Sequence, residues 1–257
     1  MRRWSWLLAG LLLAGCGSGD RTTAAGSGSG RSAVSGTITV FAAASLTGSF
    51  GTLGRQFEAA HPGTTVRFNF AASSALAQSI GQGAPADVFA SASARNMATV
   101  VRSGDAAGPT TFAKNVMEIA VPPDNPGGVG SLADLARSAL KVALCQEQVP
   151  CGATAKQALD KAKVTVRPVT LGADVKAVLT AIQLGEVDAG IVYRTDVLAA
   201  GAKVVGIEIP AGQNASTSYP IAPLTSALNA AGAKAFVEYV LSAEGRSVLA
   251  EAGFAAP

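Results

Sequence analysis

The groups in this chain that could do chemistry cluster at strand-to-helix turns, and they donate hydrogen bonds. Ala42-Ala43-Ala44-Ser45-Leu46-Thr47 ends a strand pattern and opens a helix pattern. Ala71-Ala72-Ser73-Ser74 does the same, and Cys151-Gly152 and Gly172-Ala173-Asp174-Val175 open two further helix patterns. The first turn of a helix leaves backbone N–H groups without partners and carries about half a positive charge. Several such ends aimed at one cleft bind an anion without any Lys or Arg, and serine hydroxyls add donors. A plainer reading competes at each position, since Ser45, Ser73 and Asp174 also suit helix N-caps.

Other chemistries find less material. A serine hydrolase needs a general base beside its nucleophile. The one histidine, His61, sits in a His61-Pro62-Gly63 turn that ends a helix pattern. A Gly-x-Ser-x-Gly string occurs as Gly26-Ser27-Gly28-Ser29-Gly30, outside any strand–turn–helix context. Three cysteines and one histidine leave little for a transition-metal cage, so no metal is expected as a free cation. The formal charge is +3, near neutral without Arg2 and Arg3, and the basic residues form no stripe. Nucleic acid is therefore not an expected partner. Hydrophobic residues make up 49% of the chain and charged residues 14%, which excludes intrinsic disorder.

The elements that must position these turns alternate. Residues 37–42 read as a strand, and Leu46, Phe50, Leu53 and Phe57 then recur on one helix face. Residues 66–70 read as a second strand, with a helix marked by Leu76 and Ile80 after Ser73-Ser74. Further strands are expected at 87–90, 116–121, 141–144 and 189–193. Helices are expected at 153–162, around Val175 to Ile182, and at 233–249. Strands separated by helices imply βαβ units, parallel sheets and an α/β class. Two sheets are expected, in two lobes: residues 37–113 plus 218–257, and residues 114–217. The chain would cross near Lys114-Asn115 and return near Ser218-Tyr219-Pro220.

The start carries an address. Arg2-Arg3 precedes an apolar stretch, residues 4–14, too short to span a membrane comfortably. Leu13-Ala14-Gly15-Cys16 matches a bacterial lipobox, so residues 1–16 read as a signal peptide ending at a lipidated Cys16. Residues 17–36, rich in Gly, Ser, Thr and Ala, read as a flexible tether. The protein is then exported and lipid-anchored to the outer face of the cell membrane. Outside the cytoplasm a Cys145–Cys151 disulfide is favoured over two free thiols or a metal pair, and neither His nor a third Cys lies nearby.

With these residues in hand, the chain resembles the molybdate-binding proteins of molybdate ABC transporters. The resemblance runs from about Ile38 to the C-terminus. It is carried by Ile38-Thr39-Val40-Phe41-Ala42-Ala43-Ala44-Ser45-Leu46-Thr47 and by Gly81-Gln82-Gly83-Ala84-Pro85-Ala86-Asp87-Val88-Phe89-Ala90-Ser91-Ala92. Val149-Pro150-Cys151-Gly152, Ala173-Asp174-Val175 and Gly190-Ile191-Val192-Tyr193 complete it. It implies a two-lobed type II periplasmic-binding-protein fold, each lobe a mainly parallel sheet flanked by helices, with ligand in the interlobe cleft. Matched residue by residue, it implies five ligand-binding positions. Ser45 and Ser73 would each offer a hydroxyl and a backbone N–H, Cys151 and Val175 a backbone N–H, and Tyr193 its phenol O–H. Cys151 departs from the Ala common in relatives, without consequence for a backbone contact. The implied function is high-affinity extracytoplasmic binding of molybdate, and of tungstate, by a monomer that delivers it to an ABC permease. Catalysis and cofactors are not implied. A binding protein for sulfate or thiosulfate is the nearest alternative, and a serine hydrolase a more distant one.

Overall fold

Leu46, Phe50, Leu53 and Phe57 do share one buried face, on a helix that packs across the strand preceding it. The computed structural model describes residues 34–257. The expected signal peptide, the lipobox Cys16 and most of the expected tether lie outside the described residues. The folded chain starts slightly before the expected Thr37: Thr64 Oγ1 donates to the Val34 carbonyl oxygen, and Gly36 already pairs with Thr64.

In chain order the elements are β1 (Gly36–Ala43), α1 (Thr47–Ala60), β2 (Thr64–Ala71), α2 (Ser73–Gly81), β3 (Val88–Ala90) and α3 (Ala94–Arg102). There follow β4 (Thr110–Val121), β5 (Val142–Cys145), α4 (Pro150–Ala162), β6 (Thr170–Gly172), α5 (Val175–Gln183) and β7 (Ala189–Tyr193). The chain ends with α6 (Arg194–Ala200), β8 (Val205–Glu208), β9 (Ser216–Pro223), α7 (Ala230–Leu241) and α8 (Ala243–Glu251). The expected single C-terminal helix is two, because Ser242 ends α7 in an extended conformation and its side chain caps α8 at Gly245 N.

One expectation about the sheets is corrected. The strands are not two separate sheets but one hydrogen-bonded path, β2-β1-β3-β9-β4-β7-β5-β6, with β8 also on β4. The cause is β4, which begins at Thr110 and not at Val116. Its first half pairs with β9, and its second half with β7 and β8. Each lobe has the expected parallel core, with antiparallel strands added to it. β1 runs parallel to β2 and β3, and β5 to β6 and β7, but every pairing of β4 and β9 is antiparallel. The two segments read as crossings lie side by side, with Lys114 opposite Ser218.

Each parallel part is covered on both faces, as buried parallel strands require. Ile38, Val40 and Ala42 of β1 face α1 and α7, while Phe41 points the other way onto Leu76, Phe89 and Met97. A third apolar cluster, from Met117 to Ile209, fills the half built on β5, β7, α4 and α5. Helix α1 sits so close to β2 that a Cβ on Gly54 would meet the Phe68 ring at 2.6 Å.

Asp87, in the Gly-rich string before β3, fastens the first half together. It is 4% exposed. Its Oδ2 accepts from Thr39 N–H at 2.7 Å and its Oδ1 from Asn229 N–H at 2.8 Å. Asn229 in turn caps α7 through Gly232 N–H and donates to the Ser35 carbonyl oxygen. One carboxylate thus joins β1, β3 and the start of α7. Asp87→Ala should lower unfolding stability by roughly 2–4 kcal/mol, because two buried N–H groups lose a charged acceptor. Chemical denaturation with an unchanged midpoint would contradict this.

Candidate anion-binding site

Four elements deliver their first turns to one small cavity between the two halves. Its walls include Ala43, Ala44, Ala71, Ala72, Ala92 and Pro150, and into it reach Ser45, Ser73, Cys151, Asp174, Val175 and Tyr193. All five sequence-predicted binding residues are therefore brought together, from positions up to 148 residues apart in the chain. All are buried, with Ser45 the most exposed at 7%. No Lys or Arg lines the cavity. The small alanines let backbone approach backbone. The volume, about 20 Å³, is little more than one water occupies on the same measure.

The N-cap reading of the two serines fails. Ser45 lies in a short 3₁₀ turn (Ala44–Leu46) between β1 and α1, and neither that turn nor α1 has a side-chain cap. Ser73 is the first residue of α2, whose N-cap position is Ala72, and again no side chain caps it. The Ser73 hydroxyl oxygen instead accepts from Ala92 N–H at 2.9 Å. Asp174 does cap, accepting from Lys176 and Ala177 N–H at 2.9 and 3.0 Å. Val175 N–H is not among its partners. The first-turn amides of α2, α4 and α5 have no carbonyl within their own helix to bond, and they point with the helix dipole toward the cavity.

Helix α4 starts earlier than expected, at Pro150 instead of Ala153, so Cys151 falls in its first turn. Pro at N1 gives up an N–H that had no partner. Cys145 and Cys151 form a disulfide with Cα atoms 5.8 Å apart, which clamps the end of β5 to the start of α4. The turn presses so tightly on α4 that a Cβ on Gly152 would collide with the Gln146 carbonyl oxygen. The Cys151 amide is held from both sides.

Tyr193 ends β7. Its phenol oxygen is buried and has no hydrogen-bond partner among the described residues. The Thr154 hydroxyl beside it donates instead to the Pro150 carbonyl oxygen at 2.8 Å. Burial pushes the Tyr193 phenol well up from its ordinary value, with Tyr219 and Asp196 adding to the shift. The group stays an O–H donor throughout the neutral range.

Four supporting residues escaped the sequence reading. Lys176 Nζ pairs with Asp196 Oδ1 at 2.7 Å, and Asp196 is 1% exposed. Lys176 follows Val175 on α5, and Asp196 lies three residues beyond Tyr193 on α6, so this pair ties together the elements carrying two of the donors. Burial raises the Asp196 carboxyl and Lys176 opposes that shift. Tyr219 on β9 and Asn115 on β4 lie behind Ser45, with Tyr219 Oη 2.9 Å from Ser45 Oγ. Their nearness is a product of strand register, which no local pattern announces. His61, by contrast, ends α1 at the far side, about 20 Å along the helix from Ser45 at 1.5 Å per residue. It stacks on Phe57, its Nδ1 3.0 Å from the Phe57 carbonyl oxygen. His61 is therefore not beside Ser45.

Burial also raises the phenols of Tyr219 and Tyr239. All three tyrosines thus hold their protons more tightly folded than unfolded, where the value is about 10. Their contribution to stability is complete below about pH 10 and is lost as pH climbs through the raised folded values. An ultraviolet titration of the native protein should show phenolate absorbance lagging behind that of the denatured chain. Coincident titrations would contradict the burial.

Comparison with known proteins points the same way. Residues 38–255 match the family model for bacterial extracellular solute-binding proteins. A protein of Mycobacterium tuberculosis named molybdate-binding protein ModA is 40% identical, over 99% of this chain and all of its own length. Among solved structures, the periplasmic molybdate-binding protein of Azotobacter vinelandii aligns with a TM-score of 0.77 at 22% identity, covering 86% of this chain and 99% of that one. The sulfate-binding protein SubI of Mycobacterium tuberculosis aligns with a TM-score of 0.71 at 20% identity, covering 85% and 86%. An α/β chain in two lobes, with helix first turns around a shared cavity, belongs by sequence and by fold to the bacterial extracellular solute-binding proteins.

Proposed function

We propose that this protein captures molybdate outside the cytoplasm, accepts tungstate as well, and hands the anion to an ABC permease in the membrane. The observation that carries the reading is the Tyr193 O–H, a buried donor without an acceptor, aimed into a cavity with four helix-turn amides and two serine hydroxyls. A tetrahedral dianion offers only acceptors. Ser45 and Ser73 would each give a hydroxyl and an amide, Cys151 and Val175 an amide, and Tyr193 its phenol. Charge-assisted bonds of this kind are roughly twice as strong as neutral ones. No counter-cation or cofactor is needed, and no catalytic step follows from the residues. The 40% identity to a protein named for molybdate binding favours that anion over sulfate or thiosulfate.

The cavity is small, about 20 Å³, so the two lobes stand close together around it. We place the hinge in β4 and β9, the strands shared by residues 37–113 plus 218–257 on one side and 114–217 on the other. The lobes would open about them and close on ligand. Export, and a lipid on Cys16 that holds a monomer near its permease, suit this role.

Thermal unfolding read by a dye or calorimetry tests the assignment. Trp4 and Trp6, the two tryptophans, both lie in the expected leader and report nothing on the site. Molybdate or tungstate at about 1,000 times its dissociation constant should add about 4 kcal/mol, or roughly 8–16 °C. Sulfate and phosphate at that same concentration should do little. A shift with sulfate alone would move the function to sulfur uptake, and no shift with any oxyanion would remove it. Tyr193→Phe should weaken molybdate binding by roughly 1–3 kcal/mol. Unchanged affinity by titration calorimetry would take Tyr193 out of the site.

A further inference from the structure

The hydroxyl of Ser45 can face a ligand as donor or as acceptor, and the residues behind it decide which. The chain of bonds starts at a group whose polarity is fixed. Val116 N–H donates to Asn115 Oδ1 at 3.0 Å. That sets the Asn115 amide, so its Nδ2 faces Thr195 Oγ1 at 2.8 Å and Tyr219 Oη at 3.5 Å. Tyr219 is fully buried and Asn115 is 2% exposed. Asn115 can only donate to the phenol. The acceptor left for the Tyr219 proton, among the described residues, is Ser45 Oγ at 2.9 Å. A buried hydroxyl proton without an acceptor is costly, so Tyr219 donates to Ser45. With its oxygen already accepting, Ser45 turns its own proton toward the cavity.

We propose that Tyr219, oriented by Asn115, is a specificity-determining residue. It holds Ser45 as a donor, and so selects fully deprotonated tetrahedral oxyanions over ones that carry a proton. The other serine is set in the same sense by the backbone, because Ser73 Oγ accepts from Ala92 N–H. Tyr193 has no hydrogen-bond partner among the described residues. A hydrogen phosphate or hydrogen arsenate brings an O–H that needs an acceptor, and each hydroxyl in the cavity is aimed as a donor. Neither Tyr219 nor Asn115 lines the cavity, so both act through Ser45. The inference deepens the anion-capture reading and rests on it, though not on molybdate being the anion.

The test compares sulfate with inorganic phosphate at mildly alkaline pH, where phosphate is mainly the once-protonated dianion. The two then match in charge and closely in size and differ in the proton. Calorimetric affinities would be measured for the wild type, Tyr219→Phe and Asn115→Asp, with molybdate run in parallel. The wild type should prefer sulfate. Tyr219→Phe frees the Ser45 oxygen to accept, and the sulfate-to-phosphate affinity ratio should fall by roughly tenfold or more. Asn115→Asp is nearly isosteric and turns a donor toward Tyr219 into an acceptor, reversing the chain. Its added charge weakens both anions, but the ratio should again fall. A wild type that binds phosphate as well as sulfate overturns the inference without any variant. So do folded variants that keep the wild-type ratio or lose both anions by one factor. If the wild type binds sulfate but not molybdate, the molybdate reading fails and this one stands. A wild type that binds no deprotonated oxyanion overturns both.

Discussion

A helix that begins in the interior of a protein leaves amide protons that neither its own turn nor water can satisfy. Most helices meet this with a cap. Here the 3₁₀ turn at Ser45, α2 and α4 have none, and α5 has one that leaves its first amide to the cavity. The rest of the structure follows from placing those ends together. Alanines line the space because a larger side chain would hold the amides apart. Two halves are needed because the first turns of one half alone would face the cavity from one side. The absence of Lys and Arg from the cavity wall is consistent, since the donors already supply the positive field.

Each group that reaches the cavity is held by its neighbours in the fold. The disulfide and the Gly152 contact hold the Cys151 amide. The Lys176–Asp196 pair ties α5 to α6, and so Val175 to the end of β7. Tyr219 and Asn115 stand behind Ser45, on the two strands that run through both halves. Binding energy would otherwise go into ordering these groups. Asp87 does the same service at a distance, fixing β1 against β3 and α7 so that the turn after β1 emerges in one direction.

Much of this was legible in the sequence. The alternating pattern marked β1, α1, β2, α2, β5, α5 and β7, because half-buried helices and short apolar strands leave strong periodicities. The five cavity residues followed from small or hydroxyl residues at strand ends and from a family resemblance. What escaped was non-local. The first half of β4, Thr-Thr-Phe-Ala-Lys-Asn, reads as a crossing because its pairing partner lies about a hundred residues away. Its continuity turned two expected sheets into one. The strand β9, the helix α6 and the cluster of Asn115, Thr195 and Tyr219 are likewise defined by register and not by a local motif. The cap reading of the serines stayed open in the sequence for a related reason. Whether a hydroxyl turns to its own helix or away from it depends on a neighbour such as Ala92, and that neighbour comes from another strand.

The disulfide beside α4 carries an implication for where the protein works. A loop of about seven residues closed by Cys145 and Cys151 stabilises the fold by roughly 2 kcal/mol in the chain-entropy model, and it stays open while its thiols are reduced. A newly made chain still inside the cell therefore holds the Cys151 amide on an unclamped turn. Oxidation thereby stiffens one wall of the cavity, and reduction would loosen it.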